Sequence, residues 1–374
     1  MPQYAIISAG DTAPSFHQRT STNPSYAFDS AAGRYLVLCF FMTAADAQGQ
    51  AAVRAARSRP DLFDDNKMAF FGISIDPRDE AEARVQDHIP GFRMIWDFDA
   101  TVSRLYGAVP VDHKQGEANV QARRFWVVLD PTMRVMKVIP FTPNSSDQNE
   151  LLTYLDALPP PARFGGFDIH APVLILPQVF EPDFCKHLIS LHEADGGTET
   201  GFMRDVGGKT VLATDHSHKR RRDFTITDET LINSLQAKIK RRIVPQILKV
   251  HQFEVTRMER YLVGCYTSED GGHFHAHRDN TTKGTAHRRF AVSINLNSEF
   301  EGGEVSFPEY GPRSLKPPPG GAVVFSCSLL HAVSKVTKGR RYAFLPFLYD
   351  DKAAEIRAAN NAYLGEGLGE YKPA

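Results

Sequence analysis

Two rhythms of apolar and polar residues divide this chain. In the first part apolar residues come in unbroken runs, Tyr35-Leu36-Val37-Leu38-Cys39-Phe40-Phe41 and Met68-Ala69-Phe70-Phe71-Gly72-Ile73. Continuous runs of strand length belong to strands covered on both faces, and Ala44 to Arg57 between them has helical spacing. The order strand, helix, strand predicts a parallel βαβ unit. Arg124 to Asp130 and Val135 to Ile139 then read as a hairpin turning through Asp130-Pro131-Thr132-Met133. In the later part the rhythm becomes alternation: Phe290, Val292, Ile294 and Leu296 share one face of a strand, and Ala291, Ser293, Asn295 and Asn297 the other. Ala322 to Cys327 is a further apolar strand, introduced by the Pro317-Pro318-Pro319-Gly320-Gly321 turn.

Between the two parts, Leu158 to Gly166 concentrates proline and glycine, a linker composition. The predicted organisation is a domain over residues 1–158, a linker over 159–170 and a second domain over 171–374. Within the second, Glu181 to Glu193 reads as a helix. Asp228 to Leu248, with Leu231, Leu235, Ile239 and Ile243 recurring every fourth residue, reads as another that Pro245 kinks or ends. The tail from Asp351 is predicted to form a short helix and then fray.

Composition narrows the classes. A chain of 374 residues carrying a net charge of -1, with pI near 6.9, lacks the basic surplus that non-specific nucleic-acid binding needs. Its 42% hydrophobic and 10% aromatic content is that of a folded protein. It has no apolar run of membrane-spanning length, and Met1 to Phe16 lacks a basic start followed by an apolar core, so neither a membrane nor an export route is predicted. Cys39, Cys185, Cys265 and Cys327 are scattered, without the pairing of a disulfide or zinc framework, which fits a reducing cytoplasm.

The chemistry concentrates in His273-Phe274-His275-Ala276-His277-Arg278-Asp279. On a strand, His277 and Asp279 project to the same side, and a third ligand from a distant strand completes a two-histidine, one-carboxylate set with open positions. His331 is the natural third, 52 residues beyond Asp279, and Arg341 lies ten further on. An H-x-D alone is a common surface tripeptide. His273, His275, His277 and Asp279 would share one strand face, so His275 competes with His277 as first ligand. The full spacing resembles the prolyl-4-hydroxylase-like branch of the 2-oxoglutarate- and Fe(II)-dependent dioxygenases. That resemblance implies Fe(II) on His277, Asp279 and His331, with Arg341 on the distal carboxylate of 2-oxoglutarate. It also implies Tyr266 and Asn295 as co-substrate neighbours, and O2 as oxidant. The Gly302-Gly303-Glu304 run resembles the family's G-G-E element. The implied fold is a double-stranded β-helix, or jelly roll, with flanking helices. The implied reaction hydroxylates an unactivated carbon of a protein or peptide residue, an amino acid or a small metabolite, releasing succinate and CO2; retention of Asp279 argues against halogenation.

The first part resembles the peroxiredoxin branch of the α/β thioredoxin fold over about residues 5–157, through Gly10-Asp11-Thr12-Ala13-Pro14, Ile73-Ser74-Ile75-Asp76 and Trp96-Asp97-Phe98-Asp99. Peroxiredoxins place a low-pKa cysteine where the helix after the first long strand begins, beside an arginine. Thr43 to Gln50 contains none, and Cys39 falls inside the apolar run. The roles left to such a domain are dimerisation of the chain, substrate presentation or covering the barrel mouth. Thiol peroxidase activity, and a non-catalytic sensor of metal or 2-oxoglutarate, are the alternative functions. The basic cluster His216 to Asp223 reads as a solvated loop with one or two structural arginines, or else as a clamp for an acidic substrate or phosphate.

Overall fold

The computed structural model describes residues 2–114 and 121–371. It divides into two compact units, Met1–His170 with Pro308–Gly311 and Ala171–Phe307 with Pro312–Ala374. The Pro/Gly segment 159–170 carries a single 3-10 turn, Pro161–Arg163.

The first unit is built on a five-stranded sheet. Its elements are β1 (Tyr35–Met42), α1 (Ala47–Arg57), β2 (Met68–Ser74), β3 (Phe92–Trp96), β4 (Phe125–Leu129), β5 (Val135–Pro140) and α2 (Ser146–Asp156). The sheet order is β3-β2-β1-β4-β5. The first three strands are parallel, β4 is added antiparallel to β1, and β5 antiparallel to β4. Every residue of β1 and β2 is buried, as unbroken apolar runs require of strands sandwiched on both faces. The β4–β5 turn is held by Asp130, whose Oδ1 accepts from the backbone N–H groups of Thr132 and Arg134. This is the thioredoxin-like peroxiredoxin architecture of the first resemblance.

The helix start that a peroxidatic cysteine would occupy holds a carboxylate instead. Asp46 is the N-cap of α1, accepting from Gly49 N–H at 2.9 Å, and its two oxygens pair with Arg124 at 2.5 and 2.9 Å. The positive helix end and the arginine thus already hold an anion of the chain's own. Cys39 is fully buried, and burial pushes its thiol well up.

The second unit contains α3 (Pro182–Asp195), β6 (Arg222–Thr225), α4 (Glu229–Arg242), α5 (Val244–His251), β7 (Arg257–Glu259), β8 (Leu262–Thr267) and β9 (His273–His277). It continues with β10 (Phe290–Asn295), β11 (Val305–Ser306), β12 (Ala322–Ser326), β13 (His331–Val333), β14 (Lys338–Phe344), β15 (Phe347–Tyr349) and α6 (Asp351–Ala359). The helix expected over 228–248 is two helices: the chain breaks at Ile243, and Pro245, which has no N–H to give, enters the first turn of α5.

A large sheet runs β7-β15-β10-β14-β8-β6, with β12 also paired to β10; a smaller one runs Lys219–Arg220, β9, β13, β11 and Ser314–Leu315. Phe290, Val292, Ile294 and Leu296 enter a core shared with Leu188 of α3, Leu235 and Ile239 of α4, and Ile247 of α5. The helices therefore cover one face of the large sheet. Its other face, carrying Ala291, Ser293 and Arg341, shares a cavity with His277, Val305, His331 and Val333 from the smaller sheet.

Candidate functional site

The cavity between these sheets collects most of the residues singled out by spacing. Its lining includes Tyr266, His277, Asp279, His331 and Arg341, with apolar walls from Phe274, Val305, Phe325 and Val333. His277 and His331 are register partners on β9 and β13. Their rings lie 4.2 Å apart between centroids. Asp279 reaches both, with Oδ1 3.6 Å from His277 Nε2 and Oδ2 3.4 Å from His331 Nε2. One ligand atom from each of the three falls within 4.8 Å of the others, and this is the one such group among the described residues.

The expectation that His277 and Asp279 alternate along one strand is corrected. Strand β9 ends at His277, and its pairing with β13 slips between Phe274 and His277. Asp279 stands in the following turn, where its backbone N–H donates to Cys327 O at 2.9 Å. That bond, rather than the pleat, brings the carboxylate back toward β13. The bulge also removes the shared face expected for His273, His275 and His277. His273 is occupied by the carbonyls of Gly271 and Ser217, and His275 is exposed, so neither joins the donor group.

Both histidines are oriented from behind. His277 Nδ1 meets His275 O at 2.8 Å, and His331 Nδ1 meets Leu329 O at 3.0 Å. A carbonyl can only accept, so each Nδ1 carries the proton and each Nε2 is left as the ligand atom on the Asp279 side. Burial, then the neighbouring His277 ring, pulls His331 down to about 4, which keeps it a neutral donor. Burial alone would raise Asp279, but His331 and His277 outweigh it and hold the carboxyl well below its usual range. Two imidazoles and one carboxylate, with one side left open, are a donor set suited to Fe(II).

Arg341, on β14, is 1% exposed. Its Nε donates to Asn295 Oδ1 at 3.0 Å and its Nη2 to Ser293 Oγ at 2.8 Å. Its Nη1 is buried with no partner. Asn295 is thus placed behind the guanidinium, with its own Nδ2 donating to Pro317 O, and it is not part of the cavity wall. A buried cation that meets only neutral acceptors is costly unless an anion completes it. Tyr266, on β8, is 2% exposed, with its ring 5.4 Å from the Arg341 guanidinium carbon. Gly272 permits the close return from β8 to β9 here, since a Cβ on it would stand 2.8 Å from Tyr266 Cα.

Two arginines that spacing did not single out also line the cavity, Arg221 and Arg260. Arg221 is a structural arginine of the kind expected within residues 216–223, and the solvated-loop reading is corrected for Lys219 and Asp223, which are buried as well. Arg221 binds Asp223 through Nε at 2.6 Å and Nη2 at 2.7 Å, and its Nη1 donates to Tyr266 Oη at 3.2 Å. The available signal was the Arg221-Arg222-Asp223-Phe224-Thr225 stretch read as a strand, whose alternation puts Arg221 and Asp223 on one face. Arg260 carried no such signal.

Residues 259–349 match the model of the 2OG-Fe(II) oxygenase superfamily, and residues 9–138 that of the AhpC/TSA family. The PKHD-type hydroxylase PiuC of Pseudomonas aeruginosa is 35% identical over 91 residues, which are 22% of this chain and 39% of that protein. A PKHD-type hydroxylase of Gluconobacter oxydans is 31% identical over 84 residues, 20% of this chain and 37% of its own. The chain thus spans about two fifths of the length of the curated relatives it matches. Among solved structures, a prolyl hydroxylase from Trichoplax adhaerens, in complex with a hypoxia inducible factor peptide fragment, aligns at 16% identity with a TM-score of 0.38, over 58% of this chain and 96% of that one. Peroxidoxin BcpB from Mycobacterium tuberculosis aligns at 20% identity with a TM-score of 0.35, over 41% of this chain and 99% of its own. The chain therefore carries two separate family matches, to the AhpC/TSA model over residues 9–138 and to the 2OG-Fe(II) oxygenase superfamily model over residues 259–349.

Proposed function

We propose that this chain is an Fe(II)- and 2-oxoglutarate-dependent oxygenase, a hydroxylase of an unactivated carbon, working from a double-stranded β-helix domain over about residues 171–374. The observation that carries the reading is Arg341: a buried guanidinium with an unpartnered Nη1 in the same cavity as the donors of His277, Asp279 and His331. Fe(II) held by these three residues would supply the oxidising chemistry with O2, as 2-oxoglutarate is converted to succinate and CO2.

The chain's own residues supply position and exclusion. His277, Asp279 and His331 close one side of the metal position and leave the other to the cavity. Arg341 pairs with the distal carboxylate of 2-oxoglutarate, held in orientation by Ser293 and Asn295. Tyr266 walls the same end, its hydroxyl fixed by Arg221. Phe274, Val305, Phe325 and Val333 keep water from the reacting atoms. The substrate is a small molecule or a peptide or protein residue, and the location cytoplasmic; no helix among the described residues is long and apolar enough to cross a membrane. The Asp46–Arg124 pair standing where a peroxidase needs its thiolate argues against peroxidase chemistry in the domain over 1–158, which leaves that domain a non-catalytic role.

Anaerobic addition of Fe(II) and then 2-oxoglutarate to the apoprotein tests this directly. The visible metal-to-ligand charge-transfer band forms in wild type and is absent in His331→Ala. A folded, metal-loaded wild type that gives no band overturns the assignment.

A further inference from the structure

Three guanidiniums line the cavity, and they are not equally engaged. Arg221 spends its donors on Asp223 and Tyr266, and Arg341 is braced by Ser293 and Asn295. Arg260 makes no side-chain hydrogen bond among the described residues. Its polar contact is Asp223 Oδ2 at 3.7 Å, beyond hydrogen-bond reach, and 29% of its side chain is open. Its carbon stands 5.3 Å from the centroid of Phe347, another cavity residue.

Its backbone is also unusual. Arg260 follows the last residue of β7 with φ +65°, a left-handed conformation that a long L side chain seldom adopts and that clusters at ligand sites. Glu259, just before it, is committed to His287, Arg288 and Arg357. The reversal separates the neighbours, sending the carboxylate into that cluster and the guanidinium to the cavity wall.

The charges do not balance without a further anion. One carboxylate, Asp223, serves both Arg221 and Arg260, and buried Lys219 faces it as well, so positive charge is in surplus on that side. Burial, followed by repulsion from Arg221 and Arg288, pulls Arg260 down to about 10 against the opposing pull of Asp223 and Glu259. The second carboxylate of 2-oxoglutarate is already assigned to Arg341, so the missing anion belongs to another molecule.

We propose that Arg260 receives a carboxylate of the molecule being oxidised, so that the substrate is a small carboxylic acid whose acid group docks on Arg260 while its reacting carbon faces the His277, Asp279 and His331 donors. This rests on the oxygenase reading above. The surplus of positive charge calls for an anion, and the planar fork of a guanidinium matches the two oxygens of a carboxylate. Arg260 shares one cavity with the metal donors, so one small molecule can present its acid group to Arg260 and its reacting carbon to the donors. A small free acid meets that requirement, whereas an internal peptide residue has no carboxylate of its own backbone to offer.

The test uses the full chain loaded with Fe(II) and 2-oxoglutarate, and a panel of amino acids and short-chain acids, each as the free acid and as its primary amide. Succinate release is followed in wild type, Arg260→Gln and Arg260→Lys. Binding of the same radiolabelled acids is measured by dialysis with the oxygen-free protein. Acids stimulate succinate release and their amides do not. Arg260→Gln raises the KM for the responsive acids about a hundredfold, as loss of a charge-assisted fork does, while Arg260→Lys loses less and both variants keep the charge-transfer band. Amides as effective as acids, an unchanged KM in Arg260→Gln, or dialysis showing no acid bound to wild type each overturns the proposal. So does a band in Arg260→Gln that needs as much extra 2-oxoglutarate as one lacking Arg341, because Arg260 then belongs to the co-substrate. Absence of the band in wild type defeats the oxygenase reading instead, and dialysis still judges the acid site by itself.

Discussion

Replacing Arg341 with methionine separates what this residue does for the co-substrate from what it costs the fold. Two of its five N–H donors are spent, one on Asn295 and one on Ser293. Both hydrogens of Nη1 are free, as is the second of Nη2, so a two-pronged pair with a carboxylate remains to be made. Two hydrogen bonds to a charged partner are worth about 1.5 kcal/mol or more each. Losing about 3 kcal/mol raises the dissociation constant of 2-oxoglutarate roughly 150-fold. Stability moves differently: the apoprotein carries a desolvated cation with neutral partners only, and methionine removes that penalty while leaving the Ser293 and Asn295 oxygens one donor short. The two effects are each about 1 to 3 kcal/mol and oppose one another, so the apo melting temperature stays level or rises. The assay is anaerobic titration of the charge-transfer band beside thermal melts of the apo form, with Fe(II) affinity as the control. A rise in the dissociation constant below about tenfold, or a variant that melts well below wild type, refutes the reasoning.

Asp223→Asn strips the buried Arg221 guanidinium of its paired carboxylate and is expected to cost about 3 to 5 kcal/mol in urea melts. Burial would raise the Asp223 carboxyl, but Arg221 holds it well below the usual range. The unfolded chain therefore takes up the proton first: the contribution is complete above about pH 4 and is lost as pH falls through the folded value. Wild type should lose its advantage over the variant only in that acid range, and a gap that does not change with pH would contradict the assignment. Asp46→Cys puts a thiol at the N-cap of α1 beside Arg124, while Cys39, Cys185, Cys265 and Cys327 are all buried. Its pKa is expected at about 7 or lower, read as alkylation by iodoacetamide near neutral pH that slows when Arg124→Ala is added. An unperturbed thiol would mean that this helix end no longer stabilises an anion.

The sequence by itself determined every element whose cause is local. The apolar runs of β1 and β2 had to be strands covered on both sides, and alternation in Phe290 to Asn295 had to split core from cavity. Pro245 had to interrupt the helical stretch before it. The spacing of His277, Asp279, His331 and Arg341 marked the residues that the fold gathers, although not how Asp279 arrives. Other properties depended on contacts between residues far apart in the chain. The bulge in β9 and the bond from Asp279 to Cys327 O, 48 positions later, decided which histidines face the donor position, because a one-residue slip in register sends side chains to the opposite face. The unpartnered Nη1 of Arg341 and the uncompensated charge at Arg260 were equally illegible. A charge in a sequence carries no information about its dielectric surroundings or its counter-ion, and both were fixed only when the two sheets closed around the cavity.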